Sequence, residues 1–178
     1  MESTANPNPI TFPIGQKEIM AYLPHRYPFL LVDRILEISG PNPMDDDNPK
    51  NKVGIKVVGI KNVTATEPHF TGHFPDMPIL PGVIMIEAMA QVSSFSMYPM
   101  INKLKAGGAS FQCVLVGIDN ARFRALVTPG DSLRIETEVT ACRTTIWTFS
   151  CKAYVEGKLV AEANVMANMV NATQKTVY

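Results

Sequence analysis

From Val83 to Met100 the chain runs through "VIMIEAMAQVSSFSMYPM", apolar except for one carboxylate, one amide and a few serines. A helix that is apolar on every side must be buried on every side. The chain holds one such run, so its cover has to come from other kinds of element. A helix crossing a bilayer needs about 20 predominantly apolar residues, and Glu87, Gln91, Ser93, Ser94, Ser96 and Pro99 argue against lipid all round. The run therefore reads as the buried helix of a globular domain, ending near Ala106–Gly108 where glycines stop it.

The cover is legible as strands. Leu133, Ile135, Thr137, Val139 and Ala141 alternate with Arg134, Glu136, Glu138 and Thr140. That period of two gives a strand with one dry face. Four strands are expected over 111–118, 121–127, 132–142 and 145–155, and a fifth over 159–170 after a tight turn at Glu156 and Gly157. Ahead of the helix, 14–24 reads as a short helix stopped by Pro24 and Pro28, 29–39 as a strand, and 53–66 as another. The expected fold is α+β, a curled antiparallel sheet around one long central helix, as a single domain over 14–170. Residues 1–13 read as a loose arm and 171–178 as a tail. Residues 41–52, "PNPMDDDNPKNK", read as a surface insert that is long for a hairpin connection.

Charge and cysteine usage narrow the function. Sixteen basic and sixteen acidic residues cancel, so no broad field draws the chain to nucleic acid or an anionic membrane, and neither is an expected partner. Cys113, Cys142 and Cys151 are odd in number and widely spaced, which fits reduced thiols. With no basic-then-apolar leader in "MESTANPNPITFPIGQ", the expected localisation is cytoplasmic.

Candidate chemistry gathers in "GHFPDMPILPGVIMIEAMAQ", residues 72–91. Pro75, Pro78 and Pro81 stiffen the loop after His73, and Gly82 lets a ligand approach the backbone at the positive end of a helix. Glu87 falls one to two turns into that helix, where desolvation is expected to favour the neutral acid. A histidine base, a neutral acid and an oxyanion-binding helix end suit removal of a proton beside a carbonyl, coupled to loss or gain of a hydroxyl. The residues alone leave blander readings open. Glu87 could satisfy a core hydrogen bond and His73 a loop. Glu67, His69 and His73 include metal-ligand types, but their spacing fits no standard zinc site and no metal is expected. The prolines form a PxxP-like pattern with neighbours too apolar for an exposed ligand. His25, in "LPHRYPF", and the cysteines read as structural.

Three segments, "LPHRYPFLLVDRILEI", "GHFPDMPILPGVIMIEAMAQ" and "GIDNARFRALVTPGDSLRIE", together resemble the β-hydroxyacyl-acyl carrier protein dehydratases of bacterial-type fatty acid synthesis, in order and at similar spacing over about residues 14–170. The resemblance implies a hot-dog fold working as a homodimer or a trimer of dimers, with His73 of one copy facing Glu87 of another. His73 would take a proton from C2 of a (3R)-hydroxyacyl thioester, Glu87 would protonate the departing C3 hydroxyl, and the Gly82 amide would hold the thioester oxygen. No cofactor is implied. Phe74 and Met89 would line the acyl tunnel. Arg122 and Arg124, with Lys103 and Lys105 contributing, would receive the acidic acyl carrier protein and its phosphopantetheine arm. The dehydratase/isomerase branch carries Asp where Glu87 stands, so glutamate points to dehydration without isomerisation. Two departures stand out: the acidic insert at 41–52, and Val114 where many members carry a tyrosine. A thioesterase, an isomerising dehydratase and a non-catalytic acyl-thioester binder remain the competing readings.

Overall fold

The computed structural model describes residues 10–41, 44–45, 48–104, 111–143 and 145–171. In chain order these form α1 (Gln16–Tyr22), β1 (Arg34–Ser39), β2 (Lys56–Asn62), α2 (Gly82–Ser94), α3 (Tyr98–Leu104), β3 (Phe111–Phe123), β4 (Ser132–Arg143), β5 (Ile146–Val155) and β6 (Lys158–Asn171). The six strands make one sheet in the order β1-β2-β4-β5-β6-β3, with every pair antiparallel. α2 lies against β2, β3, β4, β5 and β6, so the sheet curls around a single helix as expected. The dry face is the alternating one: Leu133, Ile135, Thr137 and Val139 of β4 are buried beside Phe149, Cys151 and Ala153 of β5.

Local chemistry fixes the ends of α2. Pro81 caps it with an extended backbone, and its carbonyl accepts the Ile84 and Met85 amides. The apolar run does not continue as one helix. A short 3-10 segment, Phe95–Met97, separates α2 from α3. Pro99 supplies the reason, because its ring crowds the carbonyl four residues back, at Phe95, and it brings no N–H. The hydroxyls of Ser93 and Ser94 also bond back to the carbonyls of Met89 and Gln91, a pattern that loosens a helix ladder.

Other boundaries moved for equally local reasons. The strands expected at 111–118 and 121–127 are one, β3, which absorbs register shifts between Leu115 and Gly117 and between Asp119 and Arg122. Asn120 sits at φ 54 inside the second shift, and such bulges let a bent strand stay continuous. The strand expected from 29 begins only at Arg34, because the stretch before it is held by a side chain on α2. The turn at Glu156 and Gly157 has φ 49 and 79, the two positive values that a two-residue hairpin of type I′ demands. Within the insert, Pro49–Lys52 forms a 3-10 turn and the buried Lys52 ammonium donates to the Met44 carbonyl at 2.7 Å. Residues 1–9, 172–178 and parts of the insert lie outside the described residues.

Gly59 sets how closely α2 approaches the sheet. A Cβ there would stand 2.7 Å from Cγ2 of Val92 and 3.2 Å from Cδ1 of Ile35. Gly59→Val therefore forces the helix outward, and it is expected to cost about 1–3 kcal/mol as an overpacked core. A urea titration reads it as a lower midpoint.

Candidate active site

His73 is held from both sides. Its N–H donates to the His69 carbonyl at 2.9 Å, while the Ile79 N–H donates to the His73 carbonyl at 3.0 Å. Phe74 and Met77 exchange backbone hydrogen bonds, and the Leu80 N–H reaches Val127 at 2.8 Å, so the proline-rich loop is stitched to itself and to the β3–β4 connection. Upstream, Glu67 pairs with the buried Lys61 ammonium at 2.7 Å and accepts the Thr64 amide at 2.9 Å. Burial holds the neighbouring His69 below the ordinary imidazole range.

The His73 ring carries the chemical information. Its Nδ1 lies 2.8 Å from the Ile79 carbonyl oxygen, and a carbonyl can only accept. Nδ1 therefore bears a hydrogen, and the neutral ring has its lone pair on Nε2. Phe74 stacks on the ring with centroids 4.2 Å apart.

Glu87 projects from α2 into different surroundings. Its Oε1 accepts a hydrogen bond from Gln91 Nε2 at 2.8 Å and lies 3.4 Å from His25 Nε2. Gln91 also donates to the Phe29 carbonyl at 2.6 Å and accepts the Leu31 N–H at 3.0 Å. This is what keeps residues 29–31 out of the sheet. Glu87 thus does accept a hydrogen bond as the blander reading had it, while its side chain remains one-quarter exposed. His25, expected to be structural, stands beside the carboxylate. Gln91 was also missed, although its spacing four residues after Glu87 on a helix is a signal that sequence offers.

Within one chain His73 and Glu87 line different cavities. His73 borders one of about 410 Å³ with Ile79, Gly82, Val83, Phe123 and Leu126. Glu87 borders one of about 190 Å³ with Tyr22, His25, Gln91, Cys113 and Val114. The Cys113 thiol is pushed up to about 12 by burial and by the Glu87 charge, and Tyr22 is raised further by burial, so neither offers a ready proton. Val114, at the expected tyrosine position, gives the Glu87 cavity an aliphatic wall.

The other expected site residues are spread between the surface and the core of the single chain. What comes close to Gly82 in the chain alone is the Phe123 ring, whose Cζ would be 2.6 Å from a Cβ at that position. Phe123 is 52% exposed and packs on the side of Gly82 that a Cβ would occupy. Met89, expected along the tunnel, is 0% exposed in the core and borders neither cavity of the single chain. Phe74 is exposed. Arg124 pairs with Glu162, whereas the exposed Arg122 donates to the Ala121 carbonyl at 2.8 Å and meets no carboxylate among the described residues. Lys103 falls in α3, and Lys105 lies outside the described residues. No helix among the described residues is long and apolar enough to cross a membrane.

A sheet curled around one helix is the hot-dog architecture, and solved structures agree. The dehydratase heterocomplex ApeI:P from Xenorhabdus doucetiae superposes with a TM-score of 0.62 at 20% identity, over 87% of this chain and 92% of that one. A hot-dog-like protein from Thermanaerovibrio acidaminovorans gives a TM-score of 0.53 at 19% identity, over 68% and 84%. These likenesses establish the fold alone. Sequence carries the rest: the model of the FabA-like domain matches residues 23–164, and the 3-hydroxyacyl-[acyl-carrier-protein] dehydratase FabZ of Sinorhizobium medicae is 50% identical over 87% of this chain and 89% of its own. The chain belongs to the FabA-like family, on the branch of the FabZ dehydratases.

Proposed function

We propose that this protein dehydrates (3R)-hydroxyacyl-acyl carrier protein to the trans-2-enoyl thioester in type II fatty acid synthesis, with His73 as base and Glu87 as acid. The observation that carries the assignment of roles is the hydrogen bond from His73 Nδ1 to Ile79. In the neutral ring it leaves the lone pair on Nε2, the atom that can act as base. Nε2 takes the C2 proton, and the C2–H electron pair becomes the C2–C3 double bond. The C3–O bond breaks toward the hydroxyl oxygen, which receives the Glu87 proton and leaves as water. The Gly82 N–H, first in α2 and therefore without an intrahelical acceptor, stabilises the enolate-like thioester oxygen. One such donor is worth about 3–4 kcal/mol.

A second copy of the chain completes the site. His73 and Glu87 face separate cavities, so a substrate touching both requires a neighbour. β3 ends the sheet and bears exposed Leu115, Val116 and Ile118, with Val83 and Phe123 exposed as well. A long apolar edge strand is an assembly surface in a protein that remains in solution. A two-fold pairing there would put the same patch on both copies.

Arg122 is the stronger of the two docking arginines for an acidic carrier, because Glu162 already engages Arg124. Arg122→Glu is expected to raise KM for carrier-linked substrate about tenfold while leaving a small thioester analogue within about twofold. Arg124→Glu has the smaller effect. Equal loss on both substrates removes the docking role.

The reaction itself is tested by adding a trans-2-enoyl thioester on acyl carrier protein and following the loss of enoyl absorbance, with thiol release monitored in the same cuvette. Absorbance loss without thiol supports the dehydratase, read in its hydrating direction. Thiol release would instead make it a thioesterase, and a cis-3 product would make it an isomerising enzyme.

A further inference from the structure

We infer that His25 is a positioning residue for Glu87, acting with Gln91 to hold Oε1 so that Oε2 is the oxygen that carries the transferred proton. The inference rests on the reading of Glu87 as the acid.

The amide orientation of Gln91 is determined by its partners. The Leu31 N–H can only donate and the Phe29 carbonyl can only accept, so the amide oxygen faces Leu31 and the NH2 faces Phe29. The same NH2 reaches Glu87 Oε1 at 2.8 Å and must donate to it. Oε1 is therefore an acceptor in whichever charge state Glu87 occupies.

His25 approaches the same oxygen from the N-terminal segment, with Nε2 3.4 Å away. Its Nδ1 is buried and has no hydrogen-bond partner among the described residues. A proton on Nδ1 would be a buried donor left without an acceptor, which disfavours that tautomer. The tautomer with hydrogen on Nε2 avoids this and turns the N–H side of the ring to Oε1 at 3.4 Å, an electrostatic contact longer than a formed hydrogen bond. With Gln91 bonded to Oε1 and His25 beside the same oxygen, the acid proton resides on Oε2.

The surroundings do not offer a rival to His25. The titratable groups that line the cavity with it are Tyr22, Glu87 and Cys113, the tyrosine and the thiol both raised by burial. The adjacent Arg26 turns its guanidinium onto the carbonyls of Met20, Leu23 and His25, so it fixes the backbone under His25 without facing the carboxylate.

The test compares His25→Phe, which keeps a ring of similar size without a donor, with His25→Gln, whose amide can reach Oε1. On enoyl-acyl carrier protein, His25→Phe is expected to lower kcat about tenfold, the low end of what a hydrogen bond to a charged group supplies, with KM within about twofold. His25→Gln is expected to recover most of that loss. Should His25→Phe not fold, as judged by circular dichroism, His25→Asn takes its place, since its amide is too short to bridge. A His25→Phe enzyme with unchanged kcat, a loss confined to KM, or a His25→Gln enzyme as impaired as His25→Phe each overturns the positioning role. Glu87→Gln separates the two ideas. If it is inactive while His25→Phe is unimpaired, the inference alone falls; if it is as active as the parent, the acid reading falls and takes the inference with it.

Discussion

His73→Ala and Glu87→Gln, each folded, are expected to lower turnover of enoyl-acyl carrier protein by about 10²–10⁴-fold, the range supplied by one general acid or base. The two substitutions fail for different physical reasons. Alanine removes the Nε2 lone pair together with the Nδ1–H that clips the loop to Ile79, so some change in substrate affinity accompanies the lost base. Glutamine keeps a carbonyl oxygen where Oε1 accepts from Gln91 and replaces Oε2 by an NH2, which leaves the packing intact and removes the acidic proton. A fall in kcat with KM nearly constant is the expected signature of the second. Steady-state kinetics on both variants, beside circular dichroism, checks it, and a Glu87→Gln enzyme that keeps its kcat would return Glu87 to a purely structural part.

The second large effect is a gain. When the two inactive variants are unfolded together and refolded as a mixture, activity is expected to rise from near zero to about a quarter of the parent's. The figure follows from a two-fold assembly: random pairing makes about half the dimers mixed, and each mixed dimer has one site with both groups intact. The physical ground is the separation of His73 and Glu87 into different cavities of the single chain. A mixture that stays as inactive as its components would mean that both groups act from one chain, and the shared site would have to be abandoned.

Much of this molecule is written in short-range pattern. The period of two in β4, the apolar run of α2 and the positive-φ pair at Glu156 and Gly157 each depend on neighbours a few residues away, and each was readable. His73, Gly82 and Glu87 stood out because their types are costly or special where they occur. What escaped was long-range. His25 meets Glu87 across sixty-two positions, and Phe123 comes to rest over Gly82 across forty-one; neither meeting leaves a periodic trace. The break between α2 and α3 was readable in principle, since Pro99 announces it, but the uniform hydrophobicity on both sides masked it. On a helix buried almost all round, hydrophobicity alone does not say which apolar side chain meets the sheet and which meets the substrate.

Gln91 ties these levels together. One amide fastens the backbone of Phe29 and Leu31 to α2 and, with the same nitrogen, grips the Glu87 carboxylate. A substitution at this position is felt by the seam between the N-terminal segment and the helix and by the reacting acid at once. Selection for a hardier fold and selection for faster turnover therefore draw on the same side chain, and neither can adjust it without the other's consent.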